Sequence, residues 1–433
     1  MPSMVDTQFE ILDVTQLQLG MYIELDLGWM AHPFPTGSFK VTSNKQIEVI
    51  RGLGLKQVRY IPAKSDRTPE INLSGLTSDH KSLAEQERVS AQARALQLRK
   101  QRSELLSLQQ RDLIACERRY VQTARQYKQV IEHVQSSPGT VMAQCHEMVQ
   151  GFVKELLGSG ESAIRLLSDG MGDKLSLHPV NVSVISLLLG KYMGLPASDL
   201  VDLGMAAFLH DVGKSALPDR VRWLEDSFSV PEQKLYQEHV ALGVALGKQM
   251  ELSPGALLAM AQHHEMVDGS GFPLRVKGET MSQLAKILAL VNRYDGLCNP
   301  CRPAAALTPH EALALIFAQF KSRFDGAVLS AFVRMMGVYP PGSVVQLSDE
   351  RYAMVVSVNS ARPLKPKVIV FDTKVAPHEA LVLDLETMPT LGIRRSLKPA
   401  SLPKAAVDYL SPRQRICYFF ERAVDVPAES AAA

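Results

Sequence analysis

With 433 residues the chain can hold two or three domains, since a single core rarely grows past roughly 250 to 300 residues. Lys+Arg 47 against Asp+Glu 45 gives a formal net charge of +2, which excludes a protein-wide field for a nucleic acid polymer and leaves any anionic ligand to be held locally. The five dispersed cysteines (Cys116, Cys145, Cys298, Cys301 and Cys417) exclude a disulfide scaffold and fit a reducing cytoplasm.

The opening residues Met1–Asp6 lack a basic region followed by an apolar run, so no signal peptide is expected. Nowhere do 18 or more apolar residues run without a charge, so no membrane span is expected either. Residues 1–78 read as a small β-rich module, because Met21–Leu25 and Gln57–Ile61 gather β-favouring types between Gly, Pro and Asn breaks. Within it, His32 beside Pro33 reads as a packed or surface residue rather than a ligand.

Residues 79–139 form a connector. From about Ser78 to Gln135 the chain has no Pro or Gly and is rich in Gln, Arg, Lys, Glu, Ala and Leu, which predicts one long helix or two. Leu106, Leu113, Tyr120, Tyr127 and Val134 fall at strict sevens, with Ala124 and Ile131 on the alternate seam. Two readings stay open: a helix laid against its own domain, or a homodimer through the 79–137 helix. Residues 140–338 alternate apolar stripes at helical spacing with short breaks, and β-branched alternation is scarce, so this domain is expected to be helical. Residues 339–433 turn to short β-favouring runs (Ser343–Leu347, Ala353–Val358 and Lys367–Phe371), which predict a small antiparallel β appendage and a helical or irregular tail near Ala405–Ala423. Cys298-x-x-Cys301 lacks the second pair that a structural zinc site needs.

The chemistry lies in the helical domain. His178 opens a helix whose stripe continues through Val182, Ile185, Leu189 and Tyr192. Leu203, Ala207 and His210 follow the same spacing and deliver Asp211 at a helix end. Leu235, His239, Leu242 and Leu246 repeat it, as do Leu257, Met260 and His264. One histidine on an apolar stripe is ordinarily a satisfied core residue. Five of them, counting His263 beside His264, with an aspartate are hard to satisfy by hydrogen bonds alone, because burying so many polar rings is costly, and a divalent metal supplies the missing pairing.

The order of these motifs resembles the HD superfamily of metal-dependent phosphohydrolases, and within it the HD-GYP branch that hydrolyses cyclic di-GMP. His263-His264-Glu265-x-x-Asp268-Gly269-Ser270-Gly271-Phe272-Pro273 matches the HHExxDGxGYP signature except at Phe272. The Leu17–Ile23 stretch with Trp29, His32-Pro33-Phe34 and Phe39 is similar to an N-terminal domain of unknown function often fused to this branch. The resemblance implies a mainly α fold and a cluster of two divalent ions (iron, manganese, nickel or zinc). It implies His178, His210, Asp211, His239, His263, His264 and Asn292 as ligands, with Asp211 bridging. It also implies that Asp211 and Lys214 serve catalysis, and that Lys214, Asp268, Gly269, Gly271, Phe272, Pro273 and Arg302 meet cyclic di-GMP. Glu265 is expected to fix a loop. Signalling proteins are further partners that it allows.

Four positions depart from the family pattern. Asn292 puts a neutral amide where an aspartate is expected. Lys174 occupies the place of a glutamate that serves a third metal in some members. Phe272 lacks the phenol of tyrosine. Arg302 is offset by one residue from a phosphate-binding arginine, and Ala304 and Ala305 stand where a second basic residue is expected. Asp295, one turn beyond Asn292, is expected either to replace it as a ligand or to hydrogen-bond at the helix end. The alternative function is a weak or inactive module that binds cyclic di-GMP or a signalling partner.

Overall fold

The computed structural model describes residues 9–27, 32–66, 78–158, 160–171, 173–223 and 228–422, with the side chains of 78–87 left aside. Trp29 and the first residues of the chain therefore lie outside the described residues. The architecture is mainly α with β structure near each end, as the sequence predicts. Two compact units emerge: residues up to 110 with 372–381, and residues 111–371 with 382 onward.

The first unit holds an antiparallel sheet of β1 (Glu10–Asp13), β2 (Tyr22–Glu24), β3 (Ser38–Lys40) and β4 (Gln57–Tyr60), in the order β1-β4-β2-β3. The two predicted runs became β2 and β4. Helix α1 (Asn44–Gly52) was not predicted, although its signal is present: Ser43 and Gln46 form a reciprocal capping box ahead of buried Ile47 and Ile50. His32 is buried beside Phe34, as a packed residue. The long helix α2 (Ser78–His133) begins in this unit and ends in the second.

The second unit continues with α3 (Pro138–Gly158), β5 (Ser162–Leu166), α4 (Leu177–Tyr192), α5 (Ala197–Leu209), α6 (Val230–Gln249), α7 (Pro254–Gln262), α8 (Gln283–Cys298), α9 (Pro309–Gln319) and α10 (Gly326–Met336). Helix α4 is the axis of its core. Every residue from 177 to 190 except His178 is buried, the pattern of a helix apolar on all sides, and α3, α5, α8 and α10 pack on it. No helix among the described residues is long and apolar enough to cross a membrane.

The C-terminal strands are β6 (Val344–Leu347), β7 (Tyr352–Asn359), β8 (Lys367–Val370), β9 (Val382–Asp384) and β10 (Ile393–Leu397), followed by α11 (Lys404–Leu410) and β11 (Tyr418–Arg422). They do not form a separate appendage sheet. The sheet runs β10-β6-β7-β5-β11, with β8 and β9 beyond β7, so β5 from the helical region sits between β7 and β11. The helical region 140–338 thus contributes one strand, and the tail expected to be helical or irregular holds α11 and then β11. Five residues of β5 are too short a run to separate strand from buried helix by periodicity, whereas Tyr418-Phe419-Phe420 carried an aromatic strand signal that was passed over.

The coiled-coil reading of the 79–137 helix is also corrected. Tyr120, Tyr127, Val134 and Ala124 are buried within their own unit, with Leu113 and Ile131 packed beside them, and Tyr127 meets Phe208 edge-on at 5.3 Å. These positions are an intrachain packing stripe, so from Leu113 onward they are no seam for a second copy.

Candidate metal centre

Each predicted ligand arrives on a helix or at its end. His178 lies in the first turn of α4, His210 and Asp211 follow α5, His239 lies within α6, His263 caps α7 with His264 just past it, and Asn292 lies on α8. Their orientation is set locally. Nδ1 of His210, His239 and His263 each donates to the carbonyl three residues back, at Ala207 (2.8 Å), Tyr236 (2.6 Å) and Met260 (2.6 Å). His178 Nδ1 is instead 2.6 Å from the Asp295 carboxylate. With the proton on Nδ1 in all four rings, every Nε2 carries a lone pair, the tautomer that metal ligation requires.

Those lone pairs converge. His178 Nε2 and His210 Nε2 are 3.2 Å apart, and His239 Nε2 and His263 Nε2 are 3.3 Å apart. Two acceptors cannot satisfy each other at that distance, but ligands of one ion at about 2.0–2.1 Å are spaced this way. Asp211 lies between the pairs. Its Oδ1 is 3.6 Å from His239 and 3.9 Å from His263; its Oδ2 is 3.4 Å from His210 and 3.8 Å from His178. Asp211 Oδ1 and His264 Nε2 are buried without a hydrogen-bond partner in the structure. The donors thus form two groups that share Asp211: His239, His263 and His264 on one side, His178 and His210 on the other. Nitrogen and oxygen donors with two orphaned atoms fit divalent cations.

The protonation states of His239, His263 and His264 agree with this. Burial, aided by the Lys214 charge, pushes His239 down to about 4. Burial and the neighbouring imidazoles push His263 and His264 well below the usual histidine range, so these rings are neutral near pH 7. His178 moves the other way, because Asp295 outweighs the burial that opposes its charge. Burial disfavours the Asp211 carboxylate too, yet the charges of Lys214 and His210 hold it well below its ordinary value. Lys214 Nζ is 2.6 Å from Asp211 Oδ2 and sits over the Tyr236 ring, and the carboxylate raises its pKa against the effect of burial.

Asn292 presents Oδ1 at 2.9 Å from His178 Nε2. An amide oxygen facing a lone pair there is repulsive unless a cation joins them or the amide turns its Nδ2 inward, whereas a protonated His178 donates its Nε2–H to that oxygen. Asp295 does not replace it. Fully buried, it spends Oδ2 on His178 and Oδ1 on the amides of Asn181 (2.7 Å) and Asn299 (2.9 Å). Lys174 lies over the Trp223 ring at 4.6 Å.

The signature loop is organised around His264. Glu265 accepts from the backbone N–H of Leu274, Arg275 and Val276 at 2.7–3.2 Å, which is the loop-fixing role expected of it. Gly271 passes so close that a Cβ would lie 2.5 Å from His264 O, and the following Phe272 stacks on the His264 ring (centroids 4.4 Å, 21°). The stacking uses the ring and not a phenol. A cavity of about 710 Å³ opens over the donors, large enough for a nucleotide-sized ligand, and Lys214, Gly271, Phe272, Asn292 and Arg302 line it. Asp268 caps Ser270 N at 2.9 Å, Gly269 takes φ 76°, and Pro273 is exposed; none of these three lines the cavity. Sequence reasoning missed Trp223, Asn181, Asn299 and Arg415. Only Asn181 left a signal, as an amide inside the apolar stripe of α4 one turn from His178.

Residues 161–328 match the model of the HD domain. This region is an HD domain. Residues 11–145 match a domain of unknown function (DUF3391), and residues 344–405 match a KOW domain associated with HD domains. The whole arrangement is similar to the cyclic di-GMP phosphodiesterase PA4108 of Pseudomonas aeruginosa, with 25% identity over 83% of this chain and 84% of that protein. This chain is 33% identical to the cyclic di-GMP phosphodiesterase response regulator RpfG of Xanthomonas campestris, over 35% of its length and 41% of the relative. It is 26% identical to the 3'3'-cGAMP-specific phosphodiesterase 3 of Vibrio cholerae, over 38% and 35%. The chain thus spans most of the first relative and less than half of the other two.

Proposed function

We propose that this chain is a metal-dependent phosphodiesterase that opens cyclic di-GMP to linear pGpG, with GMP as a further product, in the cytoplasm. The observation that carries the reading is the Asp211 carboxylate shared by two sets of imidazole nitrogens, which supports a two-ion centre. The names of the relatives support the substrate class. Iron, manganese, nickel and zinc all suit these donors, and such ions supply Lewis acidity and a nucleophile at neutral pH.

The protein's own residues do the rest. Asp211 fixes the spacing of the two groups, and the carbonyls behind His210, His239 and His263 keep each Nε2 free. Lys214, held against Asp211 at the cavity wall, offers a point charge to a phosphate oxygen of the bound diester. Phe272 covers one face of His264, and Gly271, Phe272 and Arg302 meet the dinucleotide, while Asp268, Gly269 and Pro273 shape the loop. In this reading residues 140–338 are catalytic, and residues 1–78 and 79–139 are regulatory, with signalling proteins as partners.

The test is turnover of cyclic di-GMP by anaerobically purified protein loaded in turn with each metal, with 3'3'-cGAMP alongside. Accumulation of pGpG is expected. Failure to turn over any cyclic dinucleotide with every metal would overturn the enzymatic reading. Asn292 favours a second reading, a binding module without useful turnover, because a neutral amide leaves cation charge uncompensated. Cyclic di-GMP binding without turnover selects it.

A further inference from the structure

Arg415 alone among the cavity-lining residues comes from beyond residue 323, and it lies outside all three family matches. We propose that Arg415 binds the second phosphate of the cyclic dinucleotide, the one that is not cleaved; this rests on the function proposed above.

The segment that carries Arg415 is fixed to the metal centre by a buried chain of hydrogen bonds. Ile416, the next residue, donates its N–H to Asn299 Oδ1 (2.8 Å), and its carbonyl accepts from Asn181 Nδ2 (2.6 Å) and Asn299 Nδ2 (3.0 Å). Tyr418 N–H donates to Asn181 Oδ1 (2.9 Å). The same two amides donate to Asp295 Oδ1, and Asp295 Oδ2 holds His178 Nδ1. Arg415 is therefore rooted one residue from a backbone point that is locked to a metal ligand. Such a buried, fully connected polar network gives the segment a single position.

Charge distinguishes Arg415 from Lys174, Lys214, Arg222, Arg293 and Arg323 around the cavity. Lys214 is neutralised by Asp211, and Lys174 lies on the Trp223 ring. Arg222 is held by Asp219 (2.9 Å) and Leu217 O (3.2 Å), and Arg293 and Arg323 both lie over the Phe320 ring. Arg415 is half-buried and has no carboxylate partner among the described residues. A cyclic dinucleotide carries one negative charge on each of two phosphodiesters. The ions compensate the one being cleaved, and the other enters the cavity partly desolvated. A guanidinium fork matches a phosphate in shape and charge.

The test compares Arg415→Ala and Arg415→Lys with the unaltered protein on two substrates: cyclic di-GMP, and bis(p-nitrophenyl) phosphate, which has a single phosphate. Loss of one charge-assisted contact should raise KM for cyclic di-GMP about ten- to hundredfold in Arg415→Ala, with kcat changing by less than about threefold. The ratio of KM for cyclic di-GMP to KM for bis(p-nitrophenyl) phosphate should rise at least about tenfold. Arg415→Lys should recover most of the loss. An unchanged ratio overturns the assignment. So does Arg415→Lys behaving as badly as alanine, which would point to the fork reading a guanine edge. If the unaltered protein binds cyclic di-GMP without turnover, the same shift is read from Kd on the metal-loaded protein, and equal Kd values overturn the inference. An unaltered protein that cleaves only bis(p-nitrophenyl) phosphate and binds no cyclic dinucleotide overturns the proposed function itself, a distinguishable result.

Discussion

At residue 292 a single amide decides how much negative charge the second donor group offers. His178 and His210 are the imidazole donors on that side, and Asp211 is shared, so Asn292→Asp adds the one carboxylate that is not already committed. It should lower the Kd for metal by about tenfold, roughly 1.4 kcal/mol, read by metal titration, and raise turnover with it. Unchanged metal affinity would place residue 292 outside the ligand set. Asp211→Ala acts on both groups at once, because it removes the carboxylate that they share, and elemental analysis should find both ions lost. Retention of normal metal stoichiometry would sink the bridge. These residues were legible because chemistry needs particular side chains whatever the fold. The amide's orientation was not, since it depends on where α4 sets His178.

At the level of the element, helices α4 and α8 meet through Asp295, and the contact is directional. Asp295→Asn keeps the shape but no longer holds the His178 proton as a carboxylate does, so affinity for the metal on that side should fall about 10- to 100-fold. Isothermal titration should show one weakened site and one nearly normal site; two unaffected sites would assign Asp295 a purely structural role. The end of α2 makes the opposite point. Its heptads fitted a two-chain seam and a packing stripe equally well, because periodicity reports which face is apolar and not what covers it. Tyr120→Glu with Tyr127→Glu should therefore not release monomers. It should unfold the domain, since each change buries an unpaired carboxylate at a cost of several kcal/mol, and a thermal melt followed by circular dichroism should show a large fall in Tm. A folded variant of unchanged Tm would restore the interchain reading.

Across the whole second unit, the metal centre joins segments that are far apart in sequence. Without ions, five rings held close together in the core leave lone pairs facing each other, so removing metal should destabilise the unit. At a thousandfold excess over Kd each bound ion contributes about 4 kcal/mol. Chelation should accordingly lower Tm by several degrees or more in differential scanning calorimetry, reversed by adding metal back. No change on chelation would mean that the folded unit holds no ion. The strand β11 closes the same unit from the C-terminal end, pairing with β5 and clamping Asn181 and Asn299, which reach Asp295 in turn.

The sequence by itself determined the candidate ligand types, the helices that carry them and the HD domain they lie in, because helical spacing and the HHExxDGxGFP signature are local properties. It also determined the tautomers of three imidazoles, whose proton acceptors lie three residues back. Only the tertiary structure decided which face of Asp211 meets which rings, that Asp295 holds a ligand instead of being one, and that a strand from the far end of the chain belongs beside β5. Each of these is a contact between segments separated by tens to hundreds of residues, and no local periodicity records where such segments meet.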